Sequence, residues 1–234
     1  MLTPDLEPVG TGPAVVILAK APRPGTVKTR LTPPLTPDEA AALCACLFAD
    51  TAAVAAQAVP TVIVAHEPAS GRLLLEPLVK NAAHWWPQPP GDLGVRQADA
   101  FSRGFRQGYS PVLLMGADSP TLPLGSIAAA ARTLEAGAAD LTVVPAADGG
   151  YALLGLRAPS PGLFDAISWS TDRVYAQLIA RAGLLGLRVH PLPMGHDVDH
   201  FDDLLHLHRE MAGSDATRTR APATWNWLQS YFRR

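Results

Sequence analysis

Seven short apolar runs alternate with longer stretches of helical period along the 234 residues of the chain. The first, "AVVILAK" (14–20), is apolar and rich in β-branched residues, as a strand covered on both faces should be. "TVIVAH" (61–66), "HWW" (84–86), "PVLLMGAD" (111–118), "DLTVVPA" (140–146), "YALLGLR" (151–157) and "RVHPLP" (188–193) follow as further strands. Between the first two, residues 36–58 predict a helix: Thr36 stands as N-cap, Pro37 in the first helical position, and Glu39 three residues after the cap, forming a capping box. Helices are also predicted over 93–108, over "SIAAAARTLEAG" (126–137), over "STDRVYAQLIARAG" (170–183) with Ser170 as its cap, and after His200, where one face carries Leu204, Leu205 and Leu207. Alternation of this kind predicts βαβ units: an α/β, three-layer fold with a mostly parallel sheet and helices on both faces, residues 1–234 forming one domain. In such sheets ligands bind outside the carboxyl ends of the strands, so the residues just after each strand carry the functional information.

Composition narrows the classes. With 48% hydrophobic and 17% charged residues, the chain is apolar enough to bury a real core. A formal net charge of -2 argues against a general nucleic-acid binder, so any anion-binding surface must be local. Cys44 and Cys46 lie two apart in a helical pattern, where their side chains diverge; they read as small buried thiols rather than a disulfide. Met1–Pro13 lacks the basic start and apolar run of a signal peptide, and no uncharged stretch of membrane-spanning length and character is apparent. The expectation is a cytoplasmic protein with no nucleic-acid or membrane partner.

That local surface is "ILAKAPRPGTVKTRL" (17–31), which collects Lys20, Arg23, Lys28 and Arg30 while no acidic residue occurs between Glu7 and Asp38. An anion supplied from outside is the natural complement. Gly25 permits close backbone approach, and Lys28 and Arg30 offer point and forked positive charge suited to phosphate oxygens, although the spacing is not that of a P-loop. After the fourth strand stands Asp118, in "GADSP"; a carboxylate at a buried strand end needs a helix to cap or a cation to meet, and a hard divalent ion held together with phosphates is the functional choice. "HDVDHFDDLLHLH" (196–208) supplies further carboxylates, Asp197 and Asp199 among them, while Asp202 and Asp203 suit the N-terminal dipole of the following helix. His196 and His200 are four apart, but Asp197 stands where a zincin helix needs Glu, and the flanking Gly195 and Pro193 oppose a helix there. "AADGGY" (146–151) is either a tight turn built on Asp148 or an acceptor-contacting loop with Asp148, Gly149, Gly150 and Tyr151. In "ISWST" (167–171), Trp169, Ser170 and Thr171 could hold a substrate, or Trp169 could pack in the core.

Taken in order, "AKAPRPGTVKTRL", "GDLG" with a following "AF", "GADSP", "DGGYALLGL", "ISWST" and "DVDHFDDL" resemble the bacterial DUF2064 family of transferases, a group similar to phospholactate guanylyltransferases. The resemblance spans about Ala14 to Leu228. It implies the nucleotide-diphospho-sugar transferase (GT-A, Rossmann-like) fold and a nucleotidyltransferase that moves a nucleoside monophosphate from a triphosphate to a small, phosphorylated acceptor, releasing pyrophosphate. The alternative on the same fold is glycosyl transfer from a nucleotide sugar. By the same resemblance Lys28 and Arg30 grip the triphosphate, Asp118 and Asp199 hold Mg²⁺ or Mn²⁺, and Asp92, Leu93 and Gly94 approach the base; Lys20 and Gly25, read from the cationic loop itself, join the nucleotide-binding set. Where relatives often carry Glu and Arg after "GDLG", this chain has Val95 and Arg96.

Overall fold

The computed structural model describes residues 10–233; residues 1–9 of the Met1–Pro13 stretch lie outside the described residues. The strands are β1 (Ala14–Lys20), β2 (Thr61–Glu67), β3 (His84–Pro87), β4 (Val112–Gly116), β5 (Leu141–Pro145), β6 (Tyr151–Leu156) and β7 (Val189–Pro191), which form one sheet in the order β3-β2-β1-β4-β6-β5-β7. β1 lies inside it, parallel to β2 and β4, with Ala14 opposite both Thr61 and Val112. Because successive side chains of a strand point to opposite faces, its apolar run serves two cores at once. Val15 and Ile17 pack with Phe48, Val54 and Ile127 on one face; Ala14 and Val16 pack with Phe101, Leu114 and Leu178 on the other. Removing the fully buried Ile17 side chain to Ala would cost about 2–5 kcal/mol.

The sheet is mostly parallel, as expected, with one reversal. β5 and β6 are joined by a tight turn, so β6 runs antiparallel to both β5 and β4. Apolar periodicity marks a strand but carries no direction; the short connection sets it.

The helices are α1 (Pro37–Ala58), α2 (Arg72–Leu75), α3 (Leu93–Arg106), α4 (Leu124–Glu135), α5 (Val174–Leu184), α6 (Phe201–Ala212), α7 (Asp215–Arg220) and α8 (Pro222–Phe232). The capping box of α1 is present, with Glu39 N donating to Thr36 Oγ1 at 3.2 Å and Thr36 N to Glu39 Oε2 at 2.8 Å. By length and composition α1 is apolar enough to cross a membrane, but it carries Asp50 near its centre and most of it is buried in the fold, as in the core helix of a globular domain. Its outer face joins a third core, in which Leu43 and Leu47 meet Val198, Leu204 and Leu207 together with Leu228. There the buried Asp50 of α1 accepts hydrogen bonds from Ala223 N (3.3 Å) and Thr224 N (2.6 Å), satisfying the free amides at the start of α8. This third core packs Val198, and with it the stretch leading to Asp199, against α1.

Candidate active site

The chain leaves β1 at Lys20 and winds through residues 21–36 before α1. Gly25 sits at φ +75°, a conformation in which glycine alone carries no steric cost. Lys28 adopts φ +47° and ψ +37°, which costs a residue with a Cβ about 1–2 kcal/mol. From this backbone, Lys28 Nζ donates to Asp118 Oδ2 at 2.6 Å and to Asp199 Oδ1 at 3.1 Å, and Arg30 Nη1 donates to Asp199 Oδ2 at 3.0 Å. The Lys28 side chain is only 9% exposed. The expectation of a wholly external anion is therefore corrected for these two cations: their carboxylates come from 90 to 171 positions downstream, a distance over which sequence proximity says nothing. Arg23 donates instead to Ser70 Oγ at 3.1 Å, away from the cleft. Lys20 lines the cleft with no ion-pair partner among the described residues.

Asp118 stands two residues past β4. Gly116 makes room for it, since a Cβ there would lie 2.6 Å from Asp118 Oδ1. Asp118 caps no helix; α4 starts at Leu124 behind Pro123, without a side-chain cap. Asp199 ends an extended stretch that begins alongside β5, where Gly195 N donates to Pro145 O at 2.9 Å. Asp203, in the first turn of α6, accepts from Asp199 N (3.1 Å) and His200 N (2.6 Å), the N-terminal role expected of it.

Electrostatics reflect the packing. Burial alone would lower the Lys28 ammonium, but Asp118 and Asp199 beside it more than offset that and hold it above the ordinary lysine range. Burial likewise opposes ionisation of Asp199, yet Lys28 and Arg30 keep its carboxyl below the usual value. Asp197 is the opposite case: burial, with Asp118, Asp148 and Asp199 nearby, pushes its carboxyl up to about 7.

These groups open onto a cleft of about 850 Å³, the size of a small-molecule site. The loops after β1, β4, β5 and β7 converge on it, as the strand-end rule predicts. Lys20, Lys28, Arg30, Leu93, Asp118, Asp148, Gly150, Tyr151, Trp169, Ser170, Thr171 and Asp199 all line it. Asp148 serves both of its readings: Oδ1 accepts from Gly150 N at 2.8 Å in the turn, and the residue borders the cleft. Tyr151 OH donates to Gln97 Oε1 at 2.6 Å, and burial raises the phenol well above its ordinary value. Trp169 also meets both readings, packing at 6.2 Å from Phe164 and over Gly94, where a Cβ would come within 2.8 Å of the indole nitrogen.

Four anticipated residues stand off the cleft wall, and one cap is corrected. Asp92 is the N-cap of α3, its Oδ1 accepting from Val95 N at 2.9 Å, so its carboxylate is engaged by the helix. Gly25 belongs to the outer turn of the β1 loop, and Gly94 lies beneath Trp169. Gly149, at φ +86°, packs its α-carbon against the Asp172 backbone. Ser170 is not the cap of α5: it takes φ +62° three residues before Arg173, which holds the cap position, and Thr171 Oγ1 accepts from Arg173 N at 3.3 Å instead. Arg96, the residue after Val95, reaches across to pair with Glu67 at the end of β2.

Gln97, Ser119, Asp172 and Asp197 line the cleft without having been assigned to it. Gln97 was within reach of sequence reasoning, lying one helical turn after Leu93 on the same face. Asp172 directly follows the "ISWST" stretch. Ser119 offered no signal beyond its place beside Asp118.

The residues present fit a divalent ion in one particular way. Among the described residues no cluster of three or more His, Cys, Asp or Glu is arranged to hold a metal, and His196 lies against His206 at 4.7 Å between ring centroids rather than beside His200. But Asp118 and Asp199 converge on one cationic point, the Lys28 ammonium, and with Asp148 and Asp197 the carboxylates outnumber Lys28 and Arg30. A pair of hard oxygen donors that leaves the rest of the shell to phosphates and water is the usual magnesium arrangement.

A family model described as "Uncharacterized protein conserved in bacteria (DUF2064)" matches residues 50–171. No curated protein matches the sequence. Among solved structures, a Desulfovibrio desulfuricans protein described provisionally as a nucleotide-diphospho-sugar transferase is similar at 29% identity and TM-score 0.80, over 93% of this chain and 94% of that one. A CMP:2-keto-3-deoxy-manno-octonic acid synthetase complexed with CTP aligns at 11% identity and TM-score 0.55, over 86% of this chain and 98% of the other. A Methanothermobacter nucleotidyl transferase aligns at 16% and TM-score 0.51, over 86% and 97%. The fold is that of the nucleotide-diphospho-sugar transferases.

Proposed function

We propose that this chain, which belongs to the DUF2064 family, is a metal-dependent nucleotidyltransferase that transfers a nucleoside monophosphate from a triphosphate to a small acceptor and releases pyrophosphate. The observation that carries the reading is the meeting of Lys28 with Asp118 and Asp199, reinforced by Arg30, at the carboxyl ends of β1 and β4. Among the similar structures, the synthetase bound to CTP and the nucleotidyl transferase support nucleotide use on this fold.

Lys28 and Arg30 bind the phosphates and neutralise charge that builds on the α-phosphate and on the leaving pyrophosphate. Lys20, on the cleft wall with no ion-pair partner among the described residues, adds to the same field. Preorganised positive charge supplies most of the rate in phosphoryl-type transfer, where the protein has little covalent work to do. Asp118 and Asp199 would hold Mg²⁺ or Mn²⁺, which when bound offsets phosphate charge as a Lewis acid. Leu93, with Trp169 packed on Gly94, offers an apolar stretch of wall against which a base can rest. Asp148, Tyr151, Thr171 and their neighbours face the acceptor.

Glycosyl transfer from a nucleotide sugar is the second reading, favoured by the description of the Desulfovibrio relative. Against it, the end of β4 offers the single carboxylate Asp118 rather than a closely spaced pair. The two are separated by incubating the protein and Mg²⁺ with each nucleoside triphosphate and a panel of acceptors while following pyrophosphate. Release of pyrophosphate is the expected result; turnover of a nucleotide sugar without it would establish the second reading.

A further inference from the structure

The two halves of the cleft differ in charge. On the β1 side its wall carries Lys20, Lys28 and Arg30. On the side built by the β5–β6 turn, the segment before α5 and the stretch after β7, it carries Asp148, Asp172 and Asp197, and among the described residues no lysine or arginine from these segments lines it. Local geometry gathers the three carboxylates. Gly149 lets the turn bearing Asp148 lie against the segment bearing Asp172, for a Cβ there would sit 2.1 Å from Asp172 O. Tyr175 N donates to Gly149 O at 2.8 Å, and the bridge from Ala146 to Gly195 starts the Asp197 stretch beside the same turn.

A second observation points to the ligand. Gln97 is 3% exposed and lines the cleft; Tyr151 holds its Oε1, while its Nε2 makes no hydrogen bond among the described residues. Ser119, which lines the cleft beside Asp118, carries a buried Oγ with no partner among the described residues. A buried hydroxyl such as that of Ser119 is costly unless something pairs with it. Carboxylates that accept, with an amide and a hydroxyl to spare, form the hydrogen-bonding set for a ligand rich in O–H or N–H groups. They are the wrong set for a phosphate, which needs donors alone.

We infer that the acceptor half receives a nucleophile without negative charge, a carbohydrate-like polyol or an amino alcohol whose O–H and N–H groups donate to Asp148, Asp172 and Asp197. This replaces the phosphorylated acceptor anticipated from sequence, and it rests on the nucleotidyl-transfer reading for the other half. The acceptor oxygen forms a bond to the α-phosphorus as the bond from that phosphorus to the α–β bridging oxygen breaks. Pyrophosphate leaves with the electron pair, and the hydroxyl proton passes to a carboxylate of this half. The product is a phosphodiester rather than a diphosphate.

The test compares matched acceptors, glycerol with glycerol 3-phosphate, glucose with glucose 1-phosphate, and ethanolamine with phosphoethanolamine, by pyrophosphate release with Mg²⁺ and each nucleoside triphosphate. Release at least about tenfold faster with the unphosphorylated member of a pair is expected; equal or faster release with the phosphorylated member overturns the inference. Absence of release from every triphosphate is a failure of the transferase reading itself, and the charge claim is then judged by calorimetric titration with inorganic phosphate. The native protein should bind phosphate only at the β1 loop, so that Arg30→Gln weakens it, and the double variant Asp148→Asn, Asp172→Asn should gain additional uptake. Phosphate binding that is indifferent to Arg30→Gln, or a double variant that gains nothing, contradicts the inference.

Discussion

The two rims of the sheet carry ion-pair clusters of opposite design. At the rim away from the cleft, Asp140 lies just before β5, Arg188 just before β7 and Arg157 just after the antiparallel β6. Arg188 donates to Asp140 from N (3.1 Å), Nε (2.9 Å) and Nη2 (3.0 Å), and Arg157 Nη2 donates at 3.2 Å. One carboxylate thus meets two guanidiniums, and Arg188 first, then Arg157, holds its carboxyl well below the ordinary range. Its hydrogen-bonding capacity is spent on tying three strand ends together. At the cleft rim Lys28 and Arg30 face Asp118 and Asp199, with Asp148 and Asp197 beside them. A cluster with oxygens to spare and a deficit of positive charge has chemistry left to do; a saturated one serves as a fastening.

The largest expected effect comes from breaking the unsaturated cluster. Lys28→Met should lower turnover by about a hundredfold or more, since one preorganised charge on a transferring phosphoryl group is worth that much. Steady-state pyrophosphate release from the variant, alongside circular dichroism to establish folding, measures it.

Next comes the surplus charge itself. The Asp197 carboxyl is raised to about 7, whereas in the unfolded chain it ionises near 3.9, an ordinary carboxylate value. Between those values the folded state binds the extra proton, so stability falls as pH rises from about 4 to 7 and then levels. Asp197→Asn lacks this loss. Its advantage over the native protein, followed by denaturant titration in metal-free buffer, should be small at pH 4 and reach on the order of 1–3 kcal/mol by pH 8.

The smallest effect belongs to the far rim. Asp140→Asn weakens a partly exposed network and should cost no more than about 1 kcal/mol in thermal unfolding, with pyrophosphate release unchanged. A loss of turnover there as large as that of Lys28→Met would erase the contrast between the rims.

The ease with which these features could be read from sequence follows their range. β1 and the α1 capping box are written in consecutive residues, Ala14–Lys20 and Thr36–Glu39, and both form as expected because the interactions are local. Convergence of the strand-end loops was also legible, since it follows from parallel topology rather than from any contact. The pairing of Lys28 with Asp118 and Asp199 was not, because no pattern in residues 17–31 names partners so far along the chain. Ser170 and Asp92 show a different limit. Both are good capping types, but a left-handed backbone removes Ser170 from the helix start, and the α3 amides engage the carboxylate that resemblance assigned to a base. α8 escaped notice because its start is fixed by Asp50, buried in a distant helix.

The central claim is that Asp118 and Asp199 bring a divalent ion to phosphates gripped by Lys28 and Arg30. Electron paramagnetic resonance of Mn²⁺ titrated into the protein with a nucleoside triphosphate present tests it most directly. Uptake of protein-bound Mn²⁺ by the native chain and by Asp140→Asn, lost in both Asp118→Asn and Asp199→Asn, is the result expected; undiminished uptake by those two cleft variants would contradict the account.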